Sequence, residues 1–69
     1  MMRNEENVYV VFDLYENMYI RYLNLYEENA YTPRISLAQE FRTELEAFTE
    51  CKEYELSCFR IDKIYVLEY

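Results

Sequence analysis

The sequence predicts a small α+β domain: a three-stranded antiparallel sheet with one helix packed on one face, in the order β-β-α-β. Three observations predict it. Runs of β-branched and aromatic residues occur near both ends, one amphipathic segment lies between them, and 69 residues suffice for one domain. Because 52% of the chain is apolar and 19% is aromatic, the composition opposes disorder. We therefore expect residues 1–69 to form a single domain, with residues 1–7 flexible at its start.

The first strand is predicted over residues 8–12, where β-branched and aromatic residues follow one another. Side chains alternate between the two faces of a strand, so Val8, Val10, Phe12 and Leu14 would share one face.

The next segment, residues 14–28, has two interpretations. As a strand, residues 18–23 return from a turn at residues 15–17 and pair with the first strand. As a helix, it would be capped by Asp13 and Glu16 and would carry four tyrosines on one stripe: Tyr15, Tyr19, Tyr22 and Tyr26. The strand is favoured because tyrosine and isoleucine are poor helix formers and a lone strand needs a neighbour. The hairpin lacks the Asn-Gly pair that would decide between the two.

The helix is predicted over residues 37–52. Ser36 with Gln39 forms a capping-box pattern, and Thr43 with Glu46 repeats it, so the helix either continues through the second pattern or restarts there after a short first turn. Four large apolar residues follow at helical spacing and form the predicted core stripe: Leu37, Phe41, Leu45 and Phe48.

The last strand is predicted over residues 59–69, beside the first. Its alternation changes phase at Asp62 and Lys63, which indicates a bulge or a turn there. With the helix on one sheet face, the other face would carry several tyrosines and remain uncovered. We therefore expect the protein to form a homodimer through that face.

Several residue types needed for chemistry are absent. The chain contains neither histidine nor glycine, which opposes acid–base catalysis near neutral pH and excludes phosphate-cradling loops. Cys51 and Cys58 lie seven residues apart with no metal-ligand spacing, which favours reduced thiols in or near a core. We expect no enzymatic activity, no cofactor and no metal site. The N-terminus lacks a signal-peptide pattern and no apolar run is long enough to span a membrane, so the expected location is cytoplasmic.

Charge points to a protein partner. Fourteen acidic residues against seven basic ones give a net charge of −7, which repels nucleic acids and membrane surfaces and attracts basic protein surfaces. Tyrosines supply stiff contact area at interfaces. The predicted partner-binding residues are Tyr19, Tyr22, Tyr26, Glu40, Glu44, Glu46 and Glu50. The simpler alternative is that these glutamates form a solvated helix face and that many of the tyrosines pack in the core; the sharper one is that the carboxylates mimic nucleic-acid phosphates.

The layout of residues 8–13, 38–47 and 61–66, with the acidic composition, resembles the small acidic inhibitor proteins encoded by bacteriophages. That group includes anti-CRISPR proteins, anti-restriction DNA mimics and inhibitors of host enzymes. The resemblance implies a protein that blocks a host nucleic-acid-handling or defence protein in the bacterial cytoplasm, and it transfers no functional residue. The alternative is a structural or regulatory homo-oligomer that uses the tyrosine face as its own interface.

Overall fold

The computed structural model describes residues 4–22 and 30–68. These residues form one antiparallel four-stranded sheet with a single α-helix, in the spatial order β3-β2-β1-β4. The elements are β1 (Asn4–Asp13), β2 (Met18–Ile20), β3 (Tyr31–Thr32), a 3₁₀ helix (Ile35–Leu37), α1 (Glu44–Glu53) and β4 (Phe59–Glu68). The predicted α+β class is confirmed, but the sheet has four strands where three were predicted. The additional strand is β3, a two-residue strand directly before Pro33 for which the sequence predicted no element.

The longest pairing in the sheet joins β1 to β4. All ten residues of β1 face a residue of β4, from Asn4 opposite Glu68 to Asp13 opposite Phe59, without a break in register. The bulge or turn predicted at Asp62 and Lys63 is therefore wrong. β4 lies at the sheet edge, where neither face is fully covered, so its sequence does not need the strict alternation of a half-buried strand.

A four-residue loop, residues 14–17, connects β1 to β2, so the predicted hairpin is confirmed over residues 14–20. Asn17 has φ +60° and donates its backbone N–H to the carbonyl oxygen of Asp13 at 2.8 Å. Asparagine tolerates this left-handed conformation better than most residues and replaces the missing glycine. The helical alternative is excluded for residues 14–22, and residues 23–29 lie outside the described residues.

The Asp13 carboxylate holds this end of the sheet together. Its Oδ1 accepts backbone N–H groups from Tyr15 at 2.8 Å and Glu16 at 3.1 Å, while its Oδ2 accepts the Tyr31 hydroxyl at 3.1 Å. Asp13 is buried, so these three donors replace the water that it loses. One side chain thus joins β1, the hairpin loop and β3.

The helix α1 begins at Glu44, seven residues later than predicted. The Thr43 hydroxyl accepts the Glu46 backbone N–H at 3.0 Å, and the Glu46 carboxylate accepts the Arg42 backbone N–H at 3.2 Å. The helix therefore uses the second of the two capping patterns. Ser36 lies instead in the 3₁₀ helix.

The chain before α1 is extended because it pairs with the sheet. Phe41 and Tyr9 of β1 each donate a backbone N–H to the other's carbonyl oxygen, both at 2.8 Å. These bonds compete with helix formation across the first half of the predicted segment. Of the predicted core stripe only Phe41 is buried, at 4% exposed. The stripe is wrong for the other three residues, whose exposed fractions are 44%, 73% and 47%: Leu37, Leu45 and Phe48.

The core lies between α1 and the face of the sheet that carries Val11. It consists of six buried residues: Val11, Ile20, Phe41, Ala47, Cys51 and Leu56. The helix contributes only the small side chains Ala47 and Cys51, which lie one turn apart on one stripe. α1 therefore turns small residues towards the sheet and large apolar residues away from the core.

A Schellman motif ends α1 and directs the chain towards β4. The backbone N–H of Leu56 donates to the carbonyl oxygen of Cys51 at 2.9 Å, and that of Glu55 donates to Lys52 at 3.0 Å. Glu55 has φ +60°, a conformation that usually selects glycine. The motif brings Leu56 into the core.

The sheet face opposite α1 is not the uncovered tyrosine surface that we predicted. Val8 and Val10 lie on that face, and both are buried, with Val10 at 0% exposed. A cross-strand row runs over the same face, in which Tyr19 and Arg60 stand on either side of Phe12. The expectation of an uncovered tyrosine face is wrong, because the residues at the centre of this face are valines and they are buried.

Candidate protein-binding surface

The residues predicted to bind a partner lie on two sides of the sheet. Tyr19 is directly opposite Phe12 and shares its face, whereas Val11, next along β1, packs against α1 on the other face. The glutamates of α1 and Tyr19 are therefore separated by the sheet. The structure does not bring the two halves of the predicted site together.

The tyrosines have separate environments. The Tyr19 ring is half-buried and packs edge-to-face on Phe12, with 4.9 Å between ring centroids and 79° between the planes. Tyr22 is exposed, and the Arg21 guanidinium lies 5.4 Å from its ring centroid. Tyr26 lies outside the described residues. Tyr19 thus contributes to the cross-strand row rather than to an exposed patch.

The predicted glutamates differ in how free their carboxylates are. Glu40 and Glu44 are exposed, and Glu50 is half-buried. Glu46 is exposed, but its carboxylate caps the start of α1 through the Arg42 backbone N–H. Residues 40–55 contain six acidic and two basic residues and so account for four of the seven excess negative charges. This segment is the acidic part of the described surface.

Sequence reasoning missed a groove between α1 and β4. It has a volume of about 290 Å³ and is lined by four residues, which we call the acidic–apolar face: Glu44, Leu45, Phe48 and Ile61. Leu45 and Phe48 are three residues apart and form a helix stripe beside the small residues that face the core. The Phe48 ring also approaches the Phe59 ring of β4, with 6.1 Å between the ring centroids.

The sequence contains a signal for this groove, the helical spacing of Leu45 and Phe48, but that spacing predicted a core stripe. The spacing of Leu45 and Phe48 was interpreted within a helix that also contained Phe41. Once Phe41 leaves the helix to pair with Tyr9, the remaining helix buries Ala47 and Cys51 instead. The two large apolar residues are then left in contact with solvent beside the Glu44 carboxylate.

Two titratable groups in or beside the core, Cys51 and Tyr31, have raised pKa values. Burial raises the pKa of the Cys51 thiol to about 11, and the nearby Glu50 and Asp13 carboxylates add to the shift. Burial, followed by the charge and hydrogen bond of Asp13, raises the pKa of Tyr31 to about 12. Both groups are therefore protonated near neutral pH. Cys51 is buried and Cys58 is exposed, and neither forms a disulfide, so the predicted core position holds only for Cys51.

Within residues 4–22 and 30–68, no three histidine, cysteine or acidic side chains cluster as metal ligands would. In the same part of the chain, no helix has the length and apolar character needed to cross a membrane. Comparison of the chain with protein-family models, with curated proteins and with solved structures finds no match.

Proposed function

We propose that this chain is a small acidic binding protein that docks a partner with a basic surface through the acidic–apolar face, and that it inhibits this partner by occlusion. The observation that carries the proposal is the exposure of Leu45 and Phe48 beside Glu44 and Ile61. Apolar side chains grouped with a charged rim are typical of a protein interface.

The acidic residues of segment 40–55 support the proposal that the partner surface is basic. Residues 40–55 carry four of the excess negative charges, and Glu44 among them lines the groove, so a basic surface would be attracted before it makes contact. Leu45 and Phe48 then provide the apolar anchors that the tyrosines were expected to supply. Charge governs the association rate under this proposal, and burial of the two anchors governs the dissociation rate.

The partner class follows from its surface. Proteins that bind DNA or RNA carry basic patches that contact phosphates, and an acidic protein can occupy such a patch. The resemblance to bacteriophage-encoded inhibitors supports a host nucleic-acid-handling or defence protein as the partner, met in the bacterial cytoplasm. The chain itself would bind no nucleic acid, since its charge repels phosphates.

The first test uses an amphipathic helical peptide of lysine and leucine as a probe, with binding followed by fluorescence anisotropy. We expect Leu45→Ser and Glu44→Gln each to weaken binding several-fold, with the loss from Glu44→Gln shrinking at high salt. Two matched controls lie in the hairpin loop, where both side chains are also exposed: Leu14→Ser and Glu16→Gln. If the controls weaken binding as much as the groove variants, the peptide recognises net charge alone and the acidic–apolar face is not the site.

The second test addresses inhibition. Labelled duplex DNA bound to a panel of purified bacterial DNA-binding proteins is titrated with this chain, and DNA release is followed by anisotropy. We expect release from at least one panel member, with a loss of potency for Leu45→Ser and none for Leu14→Ser. Release that is equal for both variants contradicts docking through Leu45.

A further inference from the structure

The outer edge of β4 has the backbone groups needed to pair with another strand. Among the described residues, β4 has a hydrogen-bonded neighbour on one side only, β1. The backbone N–H of Leu14 donates to the carbonyl oxygen of Cys58 at 3.0 Å, which continues the register of the β1–β4 ladder by one residue. Hydrogen-bonded pairs alternate along an antiparallel ladder, so Arg60, Asp62 and Ile64 direct their backbone groups towards β1. The odd-numbered residues of β4, including Ile61 and Lys63, direct theirs outward.

The side chains along this edge are half-buried or exposed, and their charges balance. None of residues 59–65 is buried. Whereas the whole chain has a net charge of −7, β4 contains two basic and two acidic residues. β4 is long, contains no proline and has balanced charges, so its protection against pairing is limited to its few charged side chains.

We infer that a second copy of this chain pairs with this edge, β4 against β4, to form one continuous antiparallel sheet. The two-fold axis of such a pair stands perpendicular to the sheet, so the same faces of both copies lie on the same side. Residue numbers that face each other then have a constant, even sum, and one residue faces its own copy on the axis. Near the middle of β4, an axis at Asp62 or Lys63 would set like charges directly opposite each other.

Ile61 is the position that fits the axis. With Ile61 facing the partner's Ile61, Arg60 stands opposite the partner's Asp62, and this pairing occurs twice. Within one copy, Arg60 already donates to both carboxylate oxygens of Asp62, at 2.7 and 3.0 Å. The four side chains would therefore form an alternating square of charge. Ile61 also directs its N–H and C=O outward, so the axis would lie on a hydrogen-bonded pair.

Charge complementarity selects a second copy as the occupant of this edge. A strongly basic or acidic strand would leave either Arg60 or Asp62 opposite a like charge, whereas an identical strand satisfies both. The pairing uses backbone groups at the sheet edge, so the α1 helices of both copies lie on the same face of the joined sheet. The two acidic–apolar faces would then meet across the axis as one surface, since Ile61 lines the groove in each copy.

Sedimentation equilibrium at high micromolar concentration tests the dimer, which has twice the monomer mass of 8.6 kDa. Because each copy carries −7, added salt screens the repulsion between them, and we expect dimerisation to strengthen with NaCl. Binding of a basic partner weakens with salt, so the two proposals respond in opposite directions. A monomer throughout the salt range overturns the dimer and leaves the proposed function standing.

Charge exchange tests the register. We expect Arg60→Asp to weaken dimerisation roughly tenfold, because it places carboxylates opposite each other at two sites. The double variant Arg60→Asp with Asp62→Arg should restore dimerisation by exchanging the two signs. Lys63→Asp changes the net charge as much as Arg60→Asp but faces the partner's Phe59, so its effect should be smaller. A double variant no better than Arg60→Asp contradicts this register.

Disulfide trapping tests the axis directly, in a Cys58→Ser background. Ile61→Cys should form a disulfide-linked dimer on mild oxidation, because residues on the axis approach within disulfide range. Ile64→Cys should not, since the two copies of this position would be about 20 Å apart along the strands. Circular dichroism confirms that each variant folds. A cross-link through Ile64→Cys in place of Ile61→Cys overturns the proposed axis.

Discussion

β1 and β4 are equally long and face each other at every residue, yet they differ in burial. Four of residues 7–13 in β1 are buried, whereas none of residues 59–65 in β4 is. Composition does not explain this, because β4 has six apolar residues and β1 has five. The difference is position: within residues 4–22 and 30–68, β1 has neighbours along both edges and β4 along one. Apolar residues in this fold are therefore buried by their place in the sheet.

The largest expected effect compares two phenylalanines. Phe41 is buried and pairs with β1, whereas Phe48 is half-exposed and its ring approaches β4. We expect Phe41→Ala to lower the free energy of unfolding by about 3–5 kcal/mol, and Phe48→Ala by less than about 1 kcal/mol. Urea denaturation measures both. Equal losses would show that the Phe48 side chain, between α1 and β4, is buried as completely as the Phe41 side chain beside β1.

The second comparison uses an aspartate from each strand. Asp13 in β1 is buried and accepts three hydrogen bonds, whereas Asp62 in β4 pairs with Arg60 at the surface. We expect Asp13→Ala to cost about 2–3 kcal/mol, because it removes three hydrogen bonds to a charged acceptor and leaves their partly buried donors without it. Asp62→Ala should cost below about 1 kcal/mol, as exposed ion pairs do. Thermal and urea unfolding at low protein concentration, where the chain is monomeric, provide the comparison.

The Tyr31 hydroxyl, which donates to Asp13 at the end of β1, makes the stability of the fold depend on pH. The pKa of Tyr31 is raised from 10 to about 12, so the folded state holds the proton more tightly than the unfolded chain. Its contribution to stability is complete below pH 10 and is lost as the pH rises towards 12. Cys51, with a pKa raised from 9 to about 11, adds a similar loss that begins near pH 9.

Urea denaturation between pH 8 and 12 measures this dependence. Tyr31→Phe should be less stable at neutral pH but should lose less stability above pH 10 than the parent. Cys51→Ala should reduce the loss that begins near pH 9 and retain the later one. A parent chain with constant stability up to pH 12 would contradict both assignments.

The smallest expected effect concerns the residues that connect each strand to its neighbour. Asn17 follows β1 and Glu55 precedes β4, and both have φ +60°. The left-handed conformation costs a residue with a Cβ about 1–2 kcal/mol. Substitution by glycine removes this cost, but part of the gain is lost because glycine loses more conformational entropy on folding. We expect Glu55→Gly to stabilise the protein by up to about 1 kcal/mol and Asn17→Gly by less, because asparagine tolerates this conformation. A destabilised Glu55→Gly would show that the Glu55 side chain contributes a contact.

The sequence predicted those elements whose local and tertiary preferences agree. Residues 8–12 are rich in strand formers and lie in β1, and the second capping pattern, Thr43 with Glu46, is the one at which α1 begins. The start at Leu37 was wrong because a backbone pairing between Phe41 and Tyr9, distant in sequence, prevails over helical spacing. No local pattern reports such a bond. β3 was not predicted, because two residues are too few to show the alternation of a strand.

The site was predicted in part. The acidic segment around α1 was identified from charge, and Glu44 lines the groove. Leu45 and Phe48 were assigned to the core, because their exposure depends on where α1 begins. Tyr19 was expected on an open surface, but its place opposite Phe12 fixes it in the cross-strand row. Which face a residue occupies follows from strand register, and the sequence alone did not determine the register.

The pairing of β1 with β4 also determines when this domain can fold during synthesis. Paired residues are separated by 46 to 64 positions along the chain. β1 leaves the ribosome first, with Val8, Val10 and Val11 lacking the neighbours that cover them later, and β4 follows seconds later at about 5–20 residues per second. Closing so long a loop slows folding compared with local hairpins. In the nascent chain β1 therefore remains unpaired with β4 until β4 arrives, and the excess negative charge of the chain opposes its pairing with other copies meanwhile.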